Sequence, residues 1–464
     1  MDIEKQKRRR VLRVVLLDSM MALAIIVLVT ILILVVSGYR VKDGLVLEQA
    51  GLLKVISHPS GAQVEIDGEK VGKTEFNRML DEGTYNVVLK KDGYESWQKD
   101  IKIVPGWLMR INYARLLLQD RPMEVVRQFD ELNFLAMSPD RNGILYGNDS
   151  VVWHWMKIGG DDVSVENLEL ADVLNDFVLD GKFSGKISVQ SWNGGNDKVI
   201  AKVEDDTKTQ WLVVNLKSPE DSVNVSQKFG IEITKMTAEN NAMDRLFVLT
   251  GEKLQEIDLR RDGVTEVLAD VANYDNDESE VVFISTADEK SQRRVGLYKH
   301  GDAAATVYVA EEPEKVVSAV LTKYAGKGYL AFMVGERLYI YERDQMKMIA
   351  ENDVGTVPEY LAESPDGEFV MGQSGVTVLM IDLELMDYHF YETATQQVYW
   401  VDDYMLAEVV DGKLNVFDFD GTNRRVLSAA DGNYGAVFAE NNKYIYYTAV
   451  QDGKIELRRE IIAR

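Results

Sequence analysis

The stretch LFVLTGEKLQEIDL (residues 246–259) is an apolar run, a tight turn at Gly251 and then an alternating run. Alternation with a period of two marks a half-buried strand, and glycine in the turn between two such runs marks a hairpin. The same figure returns in YLAFMVGERLYIYE (329–342), FVMGQSGVTVLMIDL (369–383), YMLAEVVDGKLNVFDFDG (404–421) and YIYYTAVQDGKIELRR (444–459). It returns more loosely in ILYGNDSVVWHWM (144–156) and VIAKVEDDTKTQWLVVNL (199–216), and most loosely in VVFISTADEKSQRRVGLYKH (281–300). No long 3.6-residue period interrupts the series after Pro122. Eight hairpins spread from there to Arg464 recur about every 43 residues, close to the four-strand blade of a propeller. Seven blades of about 49 residues each fit the same span.

Two further stretches, LAMSPDRNG (135–143) and LAESPDGEF (361–369), place a Ser-Pro-Asp turn before the second strand of a repeat. In this they resemble TolB-type or WD-like propeller repeats. The Gly-His and Trp-Asp marks of true WD repeats are missing, so the resemblance stops short of that family. The last repeat supplies only three strands, near 435–439, 444–450 and 454–461. The extended segment MEVVRQF (123–129) is expected to add the fourth, closing the ring and hiding the edge amides that would otherwise recruit other chains.

Ahead of the repeats, PSGAQVEIDGEKVGKT (59–74) contains a near-match to a phosphate-binding loop. That loop needs Gly, four free positions and then Gly-Lys-Ser/Thr, opening a helix. Here only three residues separate Gly68 from Gly72-Lys73-Thr74, and no helical period follows. Val64 and Ile66 alternate with polar neighbours, as do Tyr85, Val87 and Leu89, then Ile101 and Ile103, which predicts strands with Gly68 in a hairpin turn. Pro-x-Gly-Ala, Ile-Asp-Gly, Gly-x-Thr, Gly-x-Tyr, and Gly-Tyr with a tryptophan soon after, follow in order over about 65 residues from Leu52 to Leu117. In these motifs the segment resembles a PEGA domain, a small all-β module of prokaryotic surface proteins. It departs from the family at Ser60, where the family name has Glu, and at Glu75, where proline commonly follows. The resemblance implies a sandwich-like extracytoplasmic module and brings no catalytic residues with it. Tyr94 and Trp97 are expected to pack in the module, with a binding patch as the other reading.

The N-terminal segment VVLLDSMMALAIIVLVTILILVV (14–36) is interrupted only by Asp18, Ser19 and Thr30. As a helix its 23 residues span about 35 Å against a hydrocarbon core of roughly 30 Å. The basic cluster KQKRRRVLR precedes it, so the N-terminus is expected in the cytoplasm and the rest of the chain outside. A cleaved signal peptide would have a shorter apolar region and a small-residue cleavage site, so an uncleaved anchor is expected. The predicted order is a cytoplasmic tail (1–13), a transmembrane helix (14–37), a juxtamembrane linker (38–51), the PEGA-like β domain (52–118) and a seven- or eight-bladed propeller (119–464). The fold class is mainly β.

The net charge is −24, and residues 1–37 carry +3, so the remainder carries −27. Such a surface repels phosphate backbones, so no nucleic-acid partner is expected. Cysteine is absent, which removes disulfides, thiolate metal sites and cysteine nucleophiles. The four histidines, His58, His154, His300 and His389, lack metal-ligand spacing. DNDESE (275–280) begins like a calcium loop, with Asp275, Asp277 and Ser279 at the first three ligand positions. Glu280 stands where the turn glycine belongs and Thr286 where glutamate chelates, so an acidic surface loop is expected. GQSGV (372–376) lacks the second glycine of a nucleophile elbow and sits between strands. Trp153, Trp155, Trp192 and Trp211 are expected in blade cores rather than on a sugar-stacking platform. No residue is assigned a catalytic, cofactor or metal role. The expected function is binding or scaffolding at the prokaryotic cell envelope, with the membrane and an envelope protein or polysaccharide as partners and no nucleotide. The alternatives are an envelope enzyme acting on carbohydrate in the propeller channel, and a transmembrane sensor working through a partner.

Overall fold

The computed structural model of the chain describes residues 2–36, 38–42, 46–179, 182–290, 292–310 and 316–464. They form two compact units, one of residues Met1–Asp120 with Ala463–Arg464, the other of Arg121–Ile462.

In the first unit, a single helix, α1, runs from Asp2 to Val36. Its stretch Val15–Val35 is long and apolar enough to cross a membrane, and none of it is buried against protein. The two hydroxyls in this stretch are satisfied on the helix itself: Ser19 donates to the carbonyl of Val15 at 2.7 Å and Thr30 to that of Ile26 at 2.8 Å. This back-bonding lets a polar residue sit in an apolar span without an orphaned donor. The residues expected as a linker contain structure of their own, because Tyr39–Lys42 pairs antiparallel with Val46–Gln49.

The small β module stacks two sheets. One has Gly51–His58 at its centre, flanked by Phe76–Leu80 and by Leu108–Arg115, the latter parallel. The other runs Glu69–Lys73, Gln63–Ile66, Gly83–Lys90, Trp97–Ile103. Alternation delivers Leu53, Val55, Val64, Val87, Leu89, Trp97 and Ile103 to the interior, all fully buried. Ile66 turns into Glu69 through Asp67 (φ 50°) and Gly68 (φ 82°). Two successive positive φ values give a hairpin turn that matches the twist of its strands.

In the second unit the described residues form eight four-stranded antiparallel sheets in sequence, which decides between seven and eight blades. Blades 1 to 7 occupy residues 134–169, 186–224, 235–268, 271–310, 316–353, 360–392 and 399–429. Blade 8 takes Ala436–Phe438, Tyr444–Gln451 and Lys454–Ile461 from the C-terminal end and Met123–Phe129 from the beginning. Met123 pairs with Glu460 and Phe129 with Ile455, with one bulge at Val126. The ring is therefore closed by strand addition rather than by a covalent link.

The core lies between neighbouring blades. Leu145, Trp153, Val199 and Leu212 fill the space between blades 1 and 2, with help from Leu174 and Phe177 of a short helical insertion. Tyr146, Ile144, Tyr446 and Leu457 do the same between blades 1 and 8 across the closure. Every one of the eight hairpins read from the sequence is the second and third strand of a blade.

Candidate functional site

The two Ser-Pro-Asp turns have one architecture. In blade 1, Ser138 Oγ donates to Asp140 at 2.5 Å and accepts from the Gly143 N–H at 2.9 Å, while Asp140 also accepts from the Asn142 N–H. In blade 6, Ser364 Oγ donates to Asp366 at 2.8 Å and accepts from the Phe369 N–H at 2.9 Å, while Asp366 accepts from the Glu368 N–H. A short hydroxyl and a carboxylate thus satisfy the amides of each turn, the work for which Ser and Asp are favoured there.

Both turns open on the same concavity of about 530 Å³, lined by the inner strands of blades 6, 7, 8 and 1. Its wall includes Tyr399 and Trp400 of blade 7, Tyr434 before blade 8, and the charged residues Arg141, Glu363 and Asp402. Asp402 is buried and already accepts from the N–H groups of Tyr404 and Met405, at 2.8 and 2.7 Å. Glu363 is exposed at this inner edge, where the surrounding protein partly desolvates its carboxyl. That desolvation, with the charges of Asp275 and Asp277, pushes its carboxyl up to about 7 against the help of Thr322 and Arg343.

Beside it, the inner edges of blades 3 to 6 hold a charged seam. Lys235 reaches the carbonyl of Tyr274 in blade 4, and burial pulls its ammonium below the ordinary lysine range. Asp275 accepts the Leu321 N–H of blade 5 at 3.0 Å. Arg343 is almost fully buried and donates to Asp277, and to Glu280 at 2.8 Å. The stretch DNDESE is therefore not an acidic surface loop. It is the end of an inner strand and its turn, held half-buried because cations of the neighbouring blades neutralise it.

The remaining sequence candidates fall into structural roles. Trp153 and Trp211 are core residues, and the Trp211 Nε1–H donates to the carbonyl of Ile233 at 2.9 Å. Trp155 packs on Trp192 with ring centroids 5.6 Å apart. His154 stacks on Tyr146, and His389 meets Phe419 edge to face. GQSGV is a strand followed by a turn at Gly375 (φ 56°). Tyr94 and Trp97 are buried in the small module, Trp97 against Tyr113. Lys73 and Tyr94 also line a second concavity of about 760 Å³ on that module, together with Lys70, Lys90 and Lys91.

His300 is the exception. Among the described residues one cluster of His and carboxylate donors could hold a metal ion, and it joins His300 to Glu239 and Glu256. Sequence reasoning missed it because the three ligands come from two blades and no motif spacing connects them.

The PEGA domain family matches residues 50–115. No curated protein matches the chain. Similar solved structures include the Dos1 propeller, at 13% identity over 72% of this chain and 94% of that one, with a TM-score of 0.46. The Swd1 β-propeller domain of Myceliophteria thermophila is 9% identical over 73% and 99%, with a TM-score of 0.38. An oligogalacturonate lyase from Vibrio parahaemolyticus is 11% identical over 68% and 98%, with a TM-score of 0.39.

Proposed function

We propose that this chain is a membrane-anchored, extracytoplasmic binding or scaffolding protein of the prokaryotic cell envelope, with the eight-bladed propeller as its interaction platform. A PEGA domain and a propeller in one chain support a binding role. The observation that carries it is the concavity at the inner edge of blades 6, 7, 8 and 1. It has aromatic walls, and its second carboxylate, the buried Asp402, is tied through Oδ1 to two backbone N–H groups. A glycosidase-type reaction needs two available carboxylates flanking the bond. Exposed Pro139 and Pro365 stand on the two turns at the rim. Full-length protein drawn from membranes of its native host should therefore co-purify with a partner that Pro139→Arg and Pro365→Arg lose. An unchanged set of captured proteins and glycans in those variants overturns the platform reading.

The orientation follows from the basic cluster ahead of the span. Protease added to intact spheroplasts should degrade the propeller, and protection until lysis would reverse the topology.

A second reading, an enzyme acting on envelope carbohydrate, is favoured by one group only. Glu363, with its carboxyl near 7, is suited to carry a proton at neutral pH. Turnover of an envelope polysaccharide that disappears in Glu363→Gln would establish it, and wild-type protein without turnover removes it.

A further inference from the structure

We propose that Glu239, Glu256 and His300 form a binding site for a divalent transition-metal cation, zinc or manganese, on the seam between blades 3 and 4. Glu239 follows the inner strand Lys235–Ala238 and is held by its own N–H, which donates to the carbonyl of Arg245 at 3.0 Å. Glu256 lies on Lys253–Asp258 of the same blade. His300 stands in the turn after Arg293–Lys299 of blade 4, where its N–H donates to the carbonyl of Ser279. The three donor atoms lie within 4.8 Å of one another. A tetrahedral cation bonded to nitrogen and carboxylate oxygen at about 2.1 Å holds its donors about 3.4 Å apart, and His300 Nδ1 already lies 3.7 Å from Glu239 Oε1 and 2.7 Å from Glu256 Oε2.

The observation that points to a cation is the state of Glu239. The residue is 1% exposed, and neither carboxylate oxygen accepts a hydrogen bond. Buried carboxylates are normally hydrogen-bonded, so a buried carboxylate without a hydrogen bond, met only by ion-pair contacts at one oxygen, has room for a cation. The charges around it are few. Arg245 Nη1 lies 3.2 Å from Oε1, and His300 Nδ1 lies 3.7 Å from it. His300 Nδ1 is also 2.7 Å from Glu256 Oε2. Arg245 is partly exposed, on a long side chain able to swing into solvent. It occupies the place of the cation's charge without the geometry to bond both oxygens.

The donor set selects the metal. One imidazole with two carboxylates suits zinc or manganese, whereas calcium and magnesium prefer oxygen alone. Two carboxylates against a dication leave the seam neutral, so the metal replaces Arg245 rather than adding to it. The proposal stands apart from the rim concavity and from any partner bound there.

The test is calorimetric titration and thermal unfolding of the full-length, detergent-solubilised protein with Zn2+, Mn2+ and Ca2+, after chelator treatment. One saturable site for Zn2+ or Mn2+ that raises the melting temperature is expected, and the tighter of the two identifies the cation. His300→Ala, at a half-exposed position, should weaken binding by about tenfold or more, as should Glu239→Gln. Arg245→Gln should melt lower than wild type without metal and recover when metal is added, since it removes the competing charge and leaves the ligands. Equal binding by wild type and His300→Ala, or Ca2+ binding as tight as that of Zn2+ and Mn2+, overturns the proposal in favour of loose association with an acidic surface. No saturable binding by the wild type overturns it outright.

Discussion

Arg121 Nε donates to Glu460 Oε1 at 2.9 Å, joining the first residue of the propeller unit to its last strand. The same carboxylate accepts the Tyr447 hydroxyl at 3.0 Å through its other oxygen, and Glu460 is only 1% exposed. The strand pairing of Met123–Phe129 with Lys454–Ile461 closes the ring, and this ion pair lies at the end of that ladder.

Removing one member of a buried charge pair leaves the other short of its partner, so Glu460→Ala should destabilise the protein by about 3 kcal/mol. Glu124 and Arg459 make an ion pair across the same seam, but Glu124 is largely exposed. Glu124→Ala should therefore cost no more than about 0.5 kcal/mol. Thermal or denaturant unfolding of the two variants side by side is the measurement. Equal losses would mean that closure depends on the strand ladder alone.

Glycines in the repeats divide by what surrounds them. Gly367 ends the Ser-Pro-Asp turn of blade 6 with φ 77°, and a methyl group there would collide with the backbone carbonyl of Lys323 in blade 5. Gly375 has φ 56° with open space around it. A left-handed residue costs about 1 kcal/mol, so Gly375→Ala should lower stability by that much. Gly367→Ala adds a clash with backbone that cannot rotate away, for a loss of about 3 kcal/mol. Melting temperatures of the pair test this. A Gly367→Ala variant no worse than Gly375→Ala would show that the blade 5–6 contact is loose.

The hairpins at 246–259 and 369–383 were legible because both strands of each alternate and a glycine sits between them. These are the second and third strands, whose faces meet neighbouring blades. Inner strands such as Tyr399–Trp400 are too short to show a period, and outer strands such as Ser164–Glu169 are almost wholly exposed. The segment Met123–Phe129 could be placed only by counting strands in the last repeat. The rim concavity was half legible, since the two Ser-Pro-Asp turns were visible but their meeting across the ring was not. Glu239, Glu256 and His300 left no trace, because a seam between blades joins residues that no local spacing relates.

Three carboxyls of blade 6 are held protonated toward neutral pH. Burial first, then Asp382, Asp366 and Glu384, pushes Glu368 up to about 8, while a hydrogen bond with Tyr324 works the other way. Asp382 is pushed up to about 6, also chiefly by burial, and Glu363 up to about 7 by the partial desolvation of its exposed carboxyl. The folded state then holds protons that the unfolded chain has lost, so stability falls as pH rises from about 4.5 to about 8. Carboxylates held below their ordinary range, such as Asp197, act at lower pH, outside that window. The melting temperature should decline between pH 5 and pH 8, and Glu368→Gln should flatten the decline and melt higher than wild type at pH 8. A wild-type melting temperature that rises over this window would refute the assignment.

The string GEKVGKT offers the last test, because its lysine sits in a lysine-ringed concavity and still lacks the parts of a phosphate loop. Gln63 pairs with Lys73 and Val64 with Gly72 in the antiparallel ladder, so this backbone serves the sheet rather than wrapping an anion. Thr74, whose hydroxyl would have to meet a magnesium ion, is buried: its Oγ1 accepts the Ala62 N–H at 3.0 Å and lies 2.7 Å from Ser57 Oγ. Lys73 itself is exposed. Lys73→Ala should therefore change stability by no more than about 0.5 kcal/mol. Mg-ATP should raise the melting temperature of the full-length protein no more than pyrophosphate at equal ionic strength does, since only lysine charge is on offer. A saturable shift specific to ATP and abolished by Lys73→Ala would mean that this hairpin binds nucleotide after all.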